Sequence, residues 1–245
     1  MKAVRIKLIQ NEAVFSHPLS HSNIFTYLLP PPSTVIGMIH NLCKWTTYHK
    51  MNVSICSVDK FIKKYDELES RWFIGKFGDL NDDNKKRWSF ITEKDDGSYQ
   101  GAVKSPKVIH HVADLNLVLH IIPDDQEDVE HIYKSVLYPN EYPSLGKHHS
   151  IIDIKEVKIV DILEEKKITS FDGIAYRKYE RDIEFPDMTF KNNATIYSLH
   201  KDYKIVNGRR VFNNVKAMLY CGCSIENNNF VYEYVDEDRM PIFII

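Results

Sequence analysis

Residues Lys2–Gln10 alternate: Val4, Ile6 and Leu8 fall on one side, Arg5 and Lys7 on the other. A period of two predicts a half-buried strand. The next stretch, Asn11–Leu29, has no period, and His17, Pro18, Ser20, His21, Ser22 and Asn23 crowd its middle. It reads as a long loop, and ordered loops of that length are often functional. The pattern then lengthens. From about Ser33 to Tyr48, Val35, Met38, Ile39, Leu42 and Thr46 share one face, with Ile36 and Cys43 beside it. That predicts a well-buried helix. Ser33 is its expected N-cap, with a hydroxyl able to accept a backbone N–H. Gly37 inside the helix costs ~1 kcal/mol against Ala, and the expected return is close approach of another backbone.

A second strand is predicted over Val53–Tyr65. The region Arg71–His111 is different. Two aromatic segments, Trp72–Phe77 and Arg87–Ile91, flank the polar "GDLNDDNKK", and Asp96-Gly97 marks a further turn. The pattern predicts a protruding hairpin, about 72–104. Its basic residues are Lys85, Lys86 and Arg87, and again Lys104 and Lys107. Leu115, Leu117, Leu119 and Ile121 then alternate as a strand. Val129, Ile132, Tyr133, Val136 and Leu137 follow at helical spacing behind Asp124, and Pro139 stops the helix.

The order is strand, helix, strand, inserted hairpin, strand, helix. One more strand completes β-α-β-β-α-β, the ferredoxin-like (RRM-like) unit of an α+β protein. Two segments could supply it, Tyr142–Lys147 or Asp153–Leu163, and the first is preferred. The expected division is therefore a ferredoxin-like domain over 1–150 and a β-rich region over 151–245. In the second, "TIYSLHKDYKIV", "RVFNNVKAMLYCGC" and "NFVYEYVDEDRMPIFII" are rich in strand formers.

Composition narrows the chemistry. The formal net charge of −2 argues against a protein that coats nucleic acid indiscriminately. It leaves room for a local basic groove. No apolar run approaches the ~20 residues of a membrane span, and "MKAVRIKLIQ" lacks the apolar core of a signal peptide. A cytoplasmic protein with no membrane partner is expected. Cys43, Cys56, Cys221 and Cys223 lack zinc-site spacing and read as reduced thiols. His110-His111 and His148-His149 are adjacent pairs, which point to opposite faces of a strand and share a metal poorly. No metal or other cofactor is expected, and neither a nucleophile elbow nor a phosphate-binding P-loop is present.

Two segments carry candidate binding chemistry. In "SLGKHHS", Ser144–Ser150, a glycine followed by Lys147, His148 and His149 could present N–H groups and cations to phosphate. The plain alternative is a solvated turn. In "PPPSTVIG", Pro30–Pro32 stiffen the approach, and the free N–H groups of Ser33–Ile36 could hold an anion. A rigid helix start is the plain alternative there.

The segments "RIKLIQNEAVFSHP" and "YLLPPPSTVIGMIHNLC", followed by "YPSLGKHHSIIDIKEVKIVD" and the acidic-aromatic end "VYEYVDEDRMPIFII", span most of the chain. In that order they resemble the CRISPR-associated Cas-five family, in the RAMP superfamily of crRNA-binding proteins, and most of all its type I-B subgroup. The resemblance implies a ferredoxin-like domain, a thumb hairpin and a β-rich end. It implies a non-catalytic subunit at the foot of a Cascade surveillance complex, where it holds the 5′ handle of the crRNA. The partners would be the backbone subunit and the large subunit, with target DNA met only indirectly. The RNA-binding residues expected on this basis are Ser33, Thr34, Lys104, Lys107, Lys147 and His148. The alternative is a metal-independent endoribonuclease, as in the type I-C branch, where a tyrosine near the end of the first helix belongs to the active site. Here the aligned position holds Cys43, so no catalytic residue is expected.

Overall fold

The computed structural model describes residues 1–20, 23–164, 171, 173–179, 194–221 and 234–245. Its elements in chain order are β1 (Lys2–Ala13), α1 (Pro32–Leu42), β2 (Met51–Ser57), β3 (Lys63–Phe77), α2 (Asp82–Arg87), β4 (Phe90–Glu93), β5 (Tyr99–Pro123) and α3 (Asp128–Leu137). There follow β6 (Asp153–Glu164), β7 (Ile174–Lys178), β8 (Ala194–Val206), β9 (Arg209–Cys221), β10 (Tyr234–Asp236) and β11 (Pro241–Ile242). The strands form one antiparallel sheet in the order β11-β10-β6-β1-β5-β2-β7-β9-β8, and β3 and β4 also pair with β5. Among the described residues no helix is long and apolar enough to cross a membrane.

Helices α1 and α3 cover one face. Val4, Ile6 and Leu8 of β1 and Leu117, Leu119 and Ile121 of β5 meet Val35, Ile39 and Leu42 of α1 and Ile132 and Val136 of α3. Tyr176, Leu199 and Leu219 from β7, β8 and β9 join the same core.

Several expectations change. The strand that pairs antiparallel with the other edge of β1 is β6. Tyr142–Lys147 forms no strand; Ser144 makes one isolated bridge with Ile151. Pro143 cannot donate to a ladder, and the segment is short. The longer Asp153–Leu163 run buries apolar residues on both faces of the sheet, Ile154, Val157 and Ile159 on one and Val160 and Ile162 on the other. The second strand also divides. Between β2 and β3 the Asp59 carboxylate accepts hydrogen bonds from the Asn116 backbone and side-chain N–H groups, both at 2.9 Å. The chain is pinned there, and β2 and β3 become successive segments along β5.

Helix α1 starts and stops differently. Its N-cap is Pro31 in extended conformation, with Pro32 inside the first turn and no side-chain cap. Proline suits the first helical position because its missing N–H would be unpaired anyway. Ser33 is therefore inside the helix and not its cap. The helix ends at Leu42, because Lys44 takes the left-handed conformation (φ 53). Gly37 is exposed, and nothing lies within 4 Å of a Cβ built on it. Among the described residues the expected close backbone approach is absent.

The opposite face of the sheet is crossed by the C-terminal segment. Strand β10 pairs with the β6 edge. Further on, the Phe243 N–H donates to Ser54 Oγ at 2.9 Å, and Ile245 N–H donates to the Val53 carbonyl at 3.0 Å. Beneath this strap lies Arg5, 1% exposed despite its place on the polar side of β1. Its guanidinium donates to Asp236 at 2.5 Å, Asp238 at 2.7 Å and Glu156 at 2.7 Å. Asp236 also accepts the backbone N–H groups of Asp238 and Met240, both at 2.9 Å, and His120 Nε2 lies 3.2 Å away. Burial would raise the Asp236 carboxyl, but the hydrogen bonds from His120, Met240 and Arg5 outweigh it and hold the group well below the usual range. Burial lowers His120 by more than the Asp236 carboxylate restores.

Removing one partner from a buried ion cluster leaves an uncompensated charge. Asp236→Asn is expected to cost about 3–5 kcal/mol in urea denaturation; a loss under about 1 kcal/mol would show that charge does not hold the strap. The cluster also sets a pH dependence. His120 stays neutral in the fold, whereas in the unfolded chain it takes up a proton below its ordinary 6.5. The unfolded state binds more protons, so stability falls as pH drops through that value. Asp236 adds a second loss below its ordinary 3.8. His120→Asn should abolish the first of these two losses.

Candidate nucleic-acid interface

Strand β5 has 25 residues, more than the sheet can use. Leu117–Ile121 lie between β1 and β2, and the outer part leaves the body paired with β3 from Lys63↔Ala113 to Phe77↔Tyr99. This is the protruding hairpin that the aromatic pattern predicts, with a stem that begins earlier than Trp72. Near its tip β4 takes the other edge of β5. Gly75 and Gly101 are cross-strand partners, and a Cβ on either would stand within 2.5 Å of the Trp88 ring. The two glycines form a slot for the indole, which holds α2 and β4 against the hairpin.

The loop after β1 runs along the stem. The Ile24 N–H donates to the Val108 carbonyl, and the His110 N–H donates to the Ile24 carbonyl, both at 2.9 Å. Phe25 stacks on His110 with centroids 5.1 Å apart, and Tyr65 stacks on His111 at 4.7 Å. The two histidines take opposite faces, each with its own carboxylate: Asp66 for His110 and Glu67 for His111. Among the described residues no cluster of three or more His, Cys, Asp or Glu could hold a metal. His21 and Ser22 of this loop, and Cys223, lie outside the described residues.

The turn "SLGKHHS" is clamped onto the body. Buried Gln10 donates through Nε2 to the carbonyls of Leu145 (2.8 Å) and Ser150 (3.0 Å). Leu145 is fully buried, and the Ser150 N–H donates to the Lys147 carbonyl at 2.9 Å. Gly146 has φ +98, and a Cβ there would lie 3.3 Å from the Phe15 ring and the Val14 carbonyl. Only glycine fits such a position without strain. The turn carries Lys147, His148 and His149 outward, with both histidines exposed. Lys147 is close enough to Glu69 of β3 to help lower its carboxyl, after the larger effect of the Arg71 hydrogen bond.

The predicted residues therefore fall into separate groups. Lys107 faces Glu69 across the ladder and so joins Lys147, with Arg71 alongside. Lys104 is exposed and paired with Trp72. Three residues along a strand is an odd step, so Lys104 and Lys107 point to opposite faces. Ser33 and Thr34 stand elsewhere, in the lining of a groove of about 1080 Å³ between α1 and the β8–β9 hairpin. The expected anion site in the first turn is smaller than its sequence suggests, because the Thr34 and Val35 N–H groups both donate to the Pro31 carbonyl.

Sequence reasoning passed over Arg71 and the β8–β9 hairpin. The second had a clear signal, Asn207-Gly208. Both residues have positive φ, 50 and 72, as a two-residue hairpin turn requires.

The chain matches no family model and no curated protein. Among solved structures, a chain of a "CRISPR RNA-guided surveillance complex" shares its fold, with a TM-score of 0.51 and 10% identity over 97% of this chain and 92% of that one. A chain of a type III-B Cmr-beta complex bound to cognate target RNA and AMPPnP gives a TM-score of 0.46 at 10% identity, covering 89% and 84%. A CRISPR protein from Archaeoglobus fulgidus gives 0.41 at 10%, covering 100% and 98%. At these identities the likeness is one of fold, and it rests on the first of the three.

The clamp on the cationic turn has a direct test. Gly146→Ala should cost about 1–3 kcal/mol in urea denaturation and speed amide hydrogen exchange at Ser150. Unchanged exchange would mean that the turn is not held by the left-handed glycine.

Proposed function

We propose that this chain is a non-catalytic subunit of a CRISPR RNA-guided surveillance complex that grips the 5′ handle of the guide RNA. The reading takes β6-β1-β5-β2 with α1 and α3 as a ferredoxin-like unit of RAMP type, and the β3–β4–β5 projection as its thumb. The observation that carries it is the clamped Lys147–His149 turn beside the Glu69–Lys107 rung and Arg71. A rigid local patch of cations suits a subunit that holds a few nucleotides of defined shape, in a chain of net charge −2. Phosphate contacts position the strand, and unstacked bases give selectivity. The type I-B assignment follows the quoted sequence segments. The partners are then the backbone and large subunits in the cytoplasm, and target DNA is met through them.

Cys43 supports the non-catalytic reading over an endoribonuclease. Its thiol is 6% exposed, and burial pushes it up to about 11. A group that resists ionisation at neutral pH is a poor general base. The nearest tyrosine in sequence, Tyr48, lines the α1 groove, away from the turn that carries Lys147 and His148.

Two measurements test this. In the assembled complex, Lys147→Glu should reduce guide-RNA retention and flatten its salt dependence; unchanged yield and RNA content would refute the assignment. Purified chain incubated with cognate repeat RNA in EDTA should leave it intact. Site-specific cleavage upstream of the handle, lost in His148→Ala, would establish the ribonuclease instead.

A further inference from the structure

The β8–β9 hairpin is strongly cationic in a chain that is not. Between residues 201 and 216 it has Lys201, Lys204, Arg209, Arg210 and Lys216 against one acid, Asp202. Its outer half stands beside α1 and forms one wall of the 1080 Å³ groove. That volume holds a nucleotide with its flanking phosphates. Both walls carry aromatic rings. On the α1 side Tyr48 stacks on His40, centroids 5.3 Å apart and planes 19° apart, and stays 46% exposed. On the hairpin side the Arg210 guanidinium lies 4.7 Å over the Tyr203 ring, and Phe212 meets Tyr203 edge-on at 5.7 Å. Phe212 and Tyr203 each keep more than a third of their surface exposed.

The charges at this groove are available. Among the described residues, Lys44, Lys204 and Arg210 form no ion pair. The lining also has two carboxylates, Glu141, which accepts from Asn41 Nδ2 at 2.8 Å, and Asp202, which accepts from Asn213; both keep their charge, and with Lys201 the cations outnumber them four to two. Ser33, Thr34, Thr46 and Thr47 add hydroxyl-bearing residues to the lining.

We infer that this groove binds a nucleotide of a single-stranded nucleic acid, its base between Tyr48 and the Tyr203–Phe212 pair and its phosphates on Lys44, Lys204 and Arg210. Exposed rings offer a stacking platform that any unpaired base can use, and cations along the rim follow the backbone. A duplex keeps its bases stacked inside and cannot use the rings. An acidic peptide would use the cations and leave the rings idle. The inference rests on the RNA-binding reading for the source of the strand and assigns a second contact to it, on residues outside the Lys147 patch.

The test is fluorescence anisotropy of the full-length chain with a labelled single-stranded RNA octanucleotide. Arg210→Glu should weaken binding about tenfold and flatten the salt dependence. Tyr48→Ala should weaken it about tenfold as well but leave the salt slope unchanged, because stacking releases no counterions. Unaltered affinity in both variants overturns the inference. So does displacement of the RNA by a duplex, by free AMP or by octaglutamate as readily as by unlabelled RNA. A cross-link from a 4-thiouridine octanucleotide on the unmutated chain should fall within 44–50 or 201–216; adducts confined to other segments overturn it. Lys147→Glu, measured in parallel, separates the two readings. Loss with Lys147→Glu alone defeats the groove and spares the handle patch, and loss with the groove variants alone does the reverse.

Discussion

A guanidinium buried on the second face of the sheet organises the molecule. Arg5 sits in the middle of β1 with Asp236, Asp238 and Glu156 around it. A charge in that position is tolerable only with partners in place. Two of the three carboxylates come from the C-terminal segment, so the strap must cross the sheet for β1 to keep its arginine. The crossing covers Ala3, Ile122 and Val160 with Ile242, and Cys56 and Ala175 with Phe243. Both faces of the central strands are therefore closed, one by helices and one by the strap.

Strand β5 links that core to the projection. Its inner half is held on both sides by β1 and β2. Its outer half is the spine of the hairpin. Asp114 has a left-handed conformation (φ 52) at the junction, beside the Asp59–Asn116 contact. On its two sides Val112 and Leu115 face the same core, which strict alternation forbids. The junction thus sets which residues of the stem look toward the clamped turn. The two cationic regions have different physical characters. The turn at Lys147 is rigid because Gln10 and Gly146 hold it, and the α1 groove owes its walls to a hairpin that the core anchors only at its base.

Much of this was legible from residue order. Strand β1, the buried face of α1, the inner part of β5, helix α3 and a protruding aromatic hairpin all follow from periodicity, because side-chain direction alternates or rotates with the backbone. Opposite faces for His110 and His111 follow from the same rule, and so would the separation of Lys104 from Lys107. The Asn207-Gly208 turn was equally readable. The partner of β1 on its second edge was not. Tyr142–Lys147 and Asp153–Leu163 both look like strands, and the choice depends on which one finds the free edge of β1.

What the sequence determined by itself was local: the periods, the glycine-dependent turns and the lack of overall positive charge. Tertiary structure decided everything that depends on distant partners. Arg5 reads as a solvent-facing residue until Asp236, 231 positions away, reaches it. Gln10 reads as an ordinary strand residue until it meets the carbonyls of Leu145 and Ser150. Ser33 and Thr34 read as part of one site with Lys147 until the fold sets them on a groove with Lys204 and Arg210. The reason is common to all three. A polar side chain takes its role from the donors, acceptors and charges brought within a few ångströms of it, and chain folding, not chain order, chooses those neighbours.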